Sequence, residues 1–401
     1  MDACAVRMGI DPIELRRRNF LKIGDAMVFG QVVKETLDLD GIMDRVLEEI
    51  DYHAKRKAFA VQNAAGGPVK RGVGFSVVFH GCGFTGGGEA AIASVVGIEG
   101  LADGRISILA SNTEMGQGLL TAFSQIVSEA LDLPFEMIEL AAQDTRYVPN
   151  SGPTVASRST MIVGKLLEEA AFSLKQILVQ EGLLQVPYTA DQFREAIRTA
   201  HARHGSIKAY AQYRKQPHIA WDEPNCYGDA YPTSAWACNA AEVSVDTTTC
   251  EVTVHDFVAG QEVGRVVNPV LAAGQIEGGA SQSIAWGLWE EVVRQQGRMA
   301  NNQMTNYAIP TSSDLPRIRT VFFENPHPAG PGGAKGIGEL PNAAPAPAVF
   351  SALQNALGND VRLDEIPMTP ERLQNRLEEC GSPRAGDLDL LVQPEPAGAA
   401  K

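Results

Sequence analysis

Four segments of the 401-residue chain set glycine and small polar side chains beside the starts of helices, where chemistry-bearing groups can be held close to a ligand. Residues 81–89 offer bare backbone around one aromatic, Phe84, with Thr85 beside it, a wall on which a flat ligand could stack. A hairpin that folds Phe84 back into the core accounts for the same residues. In 111–118, the run Thr113-Glu114-Met115-Gly116-Gln117-Gly118 leads into a helix. Backbone NH groups there could take an anion, and Gln117 supplies both donor and acceptor; a tight strand-to-helix turn explains the glycines equally well. Residues 150–160 combine hydroxyls, Arg158 and a second helix start, a good phosphate cradle or a serine-rich capping loop. No Gly-Lys-Ser/Thr ends it, so it is not a P-loop. In 330–341, glycines surround Lys335, Gly336 and Glu339. A carboxylate delivered this way can act as a general base, or simply favour the helix dipole behind it.

These loops need elements to hold them. Hydrophobic periodicity predicts a short helix from residue 1 stopped by Gly9, and a second with Asp11 as N-cap and Pro12 at its first position. A third helix is expected over 40–58 and a linker over 62–69. Strands are expected over 71–80, 89–98, 105–110 and 136–142, with helices over 119–131 and 161–184 and another opening at Asp191. The stretches 242–246 and 251–258 alternate around Thr247-Thr248-Thr249 as a hairpin. Further helices are expected over 278–296, 342–357 and 370–379, the last capped by Thr369. Strands and helices mix without a βαβ rhythm, so the fold class is α+β.

Composition narrows the function classes. With 44% hydrophobic residues the chain can bury a sizeable core, and its formal net charge of −14 argues against a nucleic-acid partner. No apolar run approaches the roughly 18 to 20 residues that span a bilayer, so no membrane partner is expected. The six cysteines, at 4, 82, 226, 238, 250 and 380, form no CxxC pair and are expected as reduced thiols in a cytoplasmic protein.

Taken together, the segments resemble the molybdenum-binding subunit of the xanthine dehydrogenase and aldehyde oxidase family of molybdenum hydroxylases. Thr113–Gly118 is similar to that family's pterin loop, and 151–159 resembles its second cofactor loop. Gly264-Arg265-Val266-Val267-Asn268-Pro269, followed by Gly274-Gln275 and 278–282, resembles a third stretch. Lys335-Gly336-Ile337-Gly338-Glu339 resembles the loop of the catalytic glutamate. The likeness covers nearly all of 1–380, with Ser283 standing where the family commonly has glycine.

The resemblance implies a division into a helical segment, 1–70, continuing from an upstream half, and two molybdopterin-binding subdomains, 71–235 and 236–380. A disordered tail is expected over 381–401. It implies molybdopterin, as mononucleotide or cytosine dinucleotide, held by Gly116, Gln117, Gly118, Ala156, Ser157, Arg158, Ser159, Gln282, Lys335 and Gly336. The metal would be carried by the pterin dithiolene, with no protein ligand. Glu339 would be the general base of a hydroxylation that takes its oxygen from water, and Phe84 with Thr85 would read the substrate. The expected substrate is a planar N-heterocycle, first a purine such as xanthine or hypoxanthine; a nicotinate-type ring or an aldehyde stays open. Expected partners are the upstream half of the molybdenum subunit, an iron–sulfur subunit carrying [2Fe-2S] and an FAD subunit. The rival reading is a cofactor-free assembly subunit.

Overall fold

A computed structural model describes residues 1–215 and 219–380; the expected tail at 381–401 lies outside the described residues. Helix α1 (Asp2–Met8) is stopped by Gly9 in the left-handed region, and α2 (Pro12–Asn19) is capped by the Asp11 side chain, which accepts from Ile13 N at 2.8 Å. Asp2 binds Arg16 at 2.5 Å and the Ser351 hydroxyl at 2.6 Å, tying these helices to a distant part of the chain. The single helix expected over 40–58 is two, α3 (Leu39–Glu49) and α4 (Tyr52–Ala64). The break falls where Ile50 is fully buried and Asp51 turns to φ 58°, so the apolar stripe of α3 ends in the core rather than running on.

Strand β1 (Val69–Gly81) is followed by α5 (Gly88–Ile92), β2 (Val95–Gly100), β3 (Ile106–Leu109), α6 (Leu119–Leu131) and β4 (Ile138–Leu140). Helix α5 and β2 replace the strand expected over 89–98, because Glu89 is drawn inward to a buried ion pair and Ala93 takes a left-handed turn after it. One wider turn, Ser159–Val163, opens α7 (Gly164–Gln180). Helix α8 (Ala190–His204) begins with a capping box between Thr189 and Gln192 and leads into β5 (Ile207–Gln212). A small ribbon, β6 (Trp221–Asp222) with β7 (Tyr227–Gly228), precedes the long antiparallel pair β8 (Ser234–Asp246) and β9 (Glu251–Glu262), the expected hairpin extended at both ends.

Helix α9 spans Pro269–Leu288, starting nine residues before the expected 278. Its Asn268 cap accepts from Leu271 N at 3.0 Å with Pro269 at the first position. Glycines lower its helix propensity, but Gly279 lets α9 lie against Pro341, whose Cβ would stand 2.7 Å from a Cβ at that position. A second ribbon, β10 (Arg294–Gln295) with β11 (Arg298–Met299), precedes β12 (Ile318–Phe323), α10 (Leu340–Ala343), α11 (Pro345–Leu357) and α12 (Pro370–Cys380).

Two four-stranded sheets organise these elements. One runs β1-β8-β9-β12, with α3 and α4 on one face and α9, α10 and α11 on the other; the second runs β4-β3-β2-β5 under α6, α7 and α8. The first sheet pairs β1 with β8 from Val69↔Asp246 to Gly81↔Ser234. In this sheet β1, from the expected span 71–235, pairs with β8, most of which lies in the expected span 236–380. The fold is a mixed α+β domain.

Candidate functional site

A cavity of about 360 Å³ opens where four loops from both layers converge. It is walled by 115–119 at the start of α6, 154–160 before α7, 263–275 at the start of α9, and 334–339 before α10. Val155, Val266, Leu271 and Ile337 give apolar surface, and Thr154, Ser157, Ser159 and Gln275 give polar groups. Of the expected cofactor residues, the structure gathers Gln117, Gly118, Ala156, Ser157, Arg158, Ser159, Lys335, Gly336 and the base candidate Glu339 along this wall.

The tightest junction in the cavity joins two loops. The Ser157 hydroxyl lies 2.9 Å from Glu339 Oε2 and accepts from Glu339 N at 2.9 Å. Gly336 makes this approach possible, since a Cβ there would fall 2.1 Å from Ser157 O. Ala156 and Ser157 take φ values of 55° and 49°, a conformation that costs roughly 1–3 kcal/mol per non-glycine residue and persists only where the surroundings impose it. Gly83 N donates to Ala156 O at 2.9 Å, and Gly336 N donates to the Cys82 sulfur at 3.3 Å, so the two residues that follow β1 brace both loops. Burial pushes the Cys82 thiol up to about 12, which keeps it neutral beneath them.

Several side chains do not play the part expected of them. Arg158 is fully buried: its guanidinium binds Glu89 through Nε and Nη2, Ser94 at 2.6 Å, and the carbonyls of Ser151 and Pro153. Its charge is spent folding the 150–160 loop onto α5 and is not offered to a phosphate. Lys335 is also buried, with Nζ 2.9 Å from Glu262, 3.3 Å from Glu35 and 3.1 Å from Ser234 O. Burial pushes the Glu262 carboxyl up, against the pull of Lys335. Both residues can reach the cavity only through their backbone.

The anion expected at the start of α6 is already provided by the chain. Glu114 accepts from Gly116 N at 2.8 Å and from Gly118 N and Leu120 N at 3.0 Å. Burial raises its carboxyl, but the hydrogen bonds from Leu120, Gly118, Gly116 and Leu119 outweigh that and hold it below the ordinary carboxylate value. Gln117 closes on its own loop, accepting from Met115 N at 2.5 Å and donating to Thr113 O at 2.9 Å. Gln282, exposed on α9, accepts from Asn342 at 2.7 Å. Phe84 is half-buried against α5 and the Thr85 hydroxyl meets that of Tyr231 at 2.7 Å. Among the described residues, Phe84, Thr85, Gly116 and Gln282 do not line the cavity.

Sequence reading missed four contributors. Glu114, Glu89 and Glu262 saturate groups that looked free, and only Glu114, three residues before Gln117, carried a local signal. His80, at the end of β1, places Nε2 3.8 Å from Glu339 Oε2. Ser283 has a structural use, since its buried hydroxyl accepts from Ala346 N at 3.0 Å and caps α11.

The cavity fits a polar, multi-ring cofactor. Its wall includes the Ser159 hydroxyl, buried and without a protein partner, beside loops whose left-handed residues expose backbone rather than bulk. Among the described residues no group of three or more His, Cys, Asp or Glu is placed to hold a metal ion. Comparison with known proteins agrees with this geometry. The family profile of the molybdopterin cofactor-binding domain matches residues 45–316, and the chain belongs to that family.

It is 27% identical to the xanthine dehydrogenase molybdenum-binding subunit of Escherichia coli O157:H7, over 95% of this chain and 51% of that protein. Its fold matches the aldehyde oxidoreductase of Desulfovibrio gigas at TM-score 0.80 and 27% identity, covering 94% of this chain and 40% of that one. It also matches quinoline 2-oxidoreductase of Pseudomonas putida 86 at TM-score 0.80 and 26% identity, covering 94% and 51%. The chain thus spans about half the length of the curated relatives it matches. Among the described residues, no helix is long and apolar enough to cross a membrane.

Proposed function

We propose that this chain supplies the glutamate side of the molybdopterin site in a molybdenum hydroxylase that oxidises a planar N-heterocycle, with a purine as first choice. The observation that carries the reading is Glu339, held by Ser157 at the mouth of a cavity built from cofactor-type loops. The reaction is R–H + H2O → R–OH + 2 H⁺ + 2 e⁻, and molybdopterin, when bound, supplies the centre that takes up the electron pair. The chain's own task is to hold that cofactor against the backbone of 156–159 and 335–336 and to accept a proton at the Glu339 carboxylate. The electrons would leave through a [2Fe-2S] subunit and an FAD subunit. The remainder of the subunit, the half of the relatives' length that this chain does not match, would complete the pocket. Phe84 lies outside the cavity wall, on the loop that Gly83 N joins to Ala156 O, and its reading of a flat substrate is part of the proposal; relatives named for xanthine, quinoline and aldehyde oxidation share the fold.

Molybdenum and pterin measured in the complex purified from its host test the reading. Stoichiometric metal and pterin, with hydroxylation of xanthine or hypoxanthine and incorporation of oxygen from labelled water, are the expected results. Absence of both from the intact complex would make the chain an assembly subunit.

A further inference from the structure

A second, smaller cavity of about 220 Å³ lies between the segment that precedes α3, the start of β8 and the loop that follows β12. Among the described residues it shares no wall residue with the cofactor-type cavity. Met27, Val33, Pro232 and Pro328 give it apolar surface. Ser234 and Trp236, alternate residues of β8, also line it, so their side chains lie on one face of the sheet, the face that packs against α3. The two residues are only 2% and 3% exposed, and among the described residues Ser234 Oγ and Trp236 Nε1 have no hydrogen-bond partner. The indole is held in place by Phe79, with ring centroids 5.0 Å apart. An indole N–H is a donor only, and a buried donor demands an acceptor.

Charge around the cavity narrows what can fill it. The Thr233 hydroxyl donates to Glu35 at 2.7 Å, and Lys335 Nζ lies 3.3 Å from Glu35 and 2.9 Å from Glu262. Lys34 pairs with Asp229 at 3.1 Å on the same wall. Burial, against the pull of Glu35, holds the His327 imidazole below its ordinary value, and its Nδ1 accepts from Ala329 N at 3.3 Å. The ring therefore adds no positive charge near neutral pH. Three carboxylates thus meet two ammonium groups, which disfavours an anion. An ammonium ligand fails for a different reason, since it carries no acceptor for Trp236 and Ser234. The chemistry left is a small neutral molecule with a carbonyl oxygen and a compact apolar body.

We propose that this cavity is a binding site for a small cyclic amide. The amide carbonyl accepts from Ser234 Oγ and Trp236 Nε1, its N–H donates to the Glu35 carboxylate, and its ring lies against Met27, Val33 and the two prolines. Sites for larger ligands occupy about 300–1,000 Å³, so a single ring is the size that 220 Å³ admits. Glu35 serves both this cavity and Lys335, whose loop walls the cofactor-type cavity, so the two sites are neighbours without a common residue.

The test uses 2-pyridone, which carries adjacent C=O and N–H on one ring, and the 401-residue chain labelled at its indole nitrogens. The Trp236 signal, one of four, is assigned by its loss in Trp236→Phe. It should shift saturably with added 2-pyridone, with a dissociation constant on the order of 1 mM. N-methyl-2-pyridone keeps the acceptor and loses the donor, and should bind about three- to tenfold more weakly. Ser234→Ala should weaken 2-pyridone by a similar factor while leaving thermal stability at or above wild type, because it removes a buried group without a partner. Benzoate, an anion on one ring, should leave the signal in place. If Ser234→Ala does not fold, the comparison of the two pyridones carries the test. A Trp236 signal that ignores 2-pyridone, an equal response to benzoate, or equal affinity for the two pyridones would overturn the proposal.

Discussion

The Ser157 hydroxyl grips Glu339 at two points, meeting Oε2 and accepting from the backbone N of the same residue, each at 2.9 Å. One hydroxyl has a donor and two acceptor lone pairs, so both bonds form at once. The carboxylate and its own peptide are thereby fixed to a loop 182 positions away in sequence. A base held this way needs little reorganisation to meet a substrate proton.

Glu339→Gln keeps shape and hydrogen bonding but cannot accept the proton. It should retain molybdenum and pterin while losing on the order of 10² to 10⁴-fold in kcat. Steady-state kinetics on metal-quantified enzyme check this; near-normal turnover would leave Glu339 a helix-start residue.

Phe84→Ala should raise KM for planar heterocycles and weaken discrimination among them, with cofactor content unchanged. A ring contact of this kind contributes about 0.5–1.5 kcal/mol beyond burial. Untouched kinetics with falling molybdenum would assign the ring to packing against α5.

Glu114 has its carboxyl held below the ordinary value of 4.5 by backbone donors. A depressed folded-state value contributes stability above the unfolded value and loses it as pH falls through the folded one. The stability gap between wild type and Glu114→Gln should therefore be widest above about pH 5 and close on acidification. Urea unfolding across pH measures it, and a gap that widens toward acid would contradict the capping role.

Arg158→Met leaves Glu89 buried without its partner and should cost about 3–5 kcal/mol. Adding Glu89→Met should return much of that loss. Chemical denaturation of the two variants decides the matter; a single variant as stable as wild type would mean that the pair is not buried in solution.

Gly336→Ala would push a Cβ to 2.1 Å from Ser157 O, which is backbone and cannot swing aside. Overpacking of this kind costs about 1–3 kcal/mol, and separating the two loops should lower molybdenum content with it. Metal analysis and thermal unfolding on the same preparation would show both effects.

Much of the local architecture can be read directly from residue order. Asp11-Pro12 and Thr189 with Gln192 announce helix starts, and the alternation on either side of Thr247–Thr249 announces a hairpin, because caps and strand periodicity act over a few residues. The cofactor-type loops were legible for the same reason, since glycines beside a helix start carry their geometry locally. Helix α9 begins at Pro269, earlier than its pattern announces, because its glycines argue against a helix while the close approach of Pro341 that they permit is not local in sequence.

Residue order alone dictates which loops exist, how they follow one another and which residue types they carry. Which polar groups remain free within them depends on contacts between segments far apart in the chain. Arg158 and Glu89 stand 69 positions apart, and Lys335 and Glu262 stand 73 apart, so their pairing was invisible in the order of residues. A buried charge must find an opposite charge wherever the chain brings one, and that choice is made by packing. The same packing placed His80 beside Glu339 and put Ser157 on its carboxylate, turning loops that could bind many things into one site with a held base.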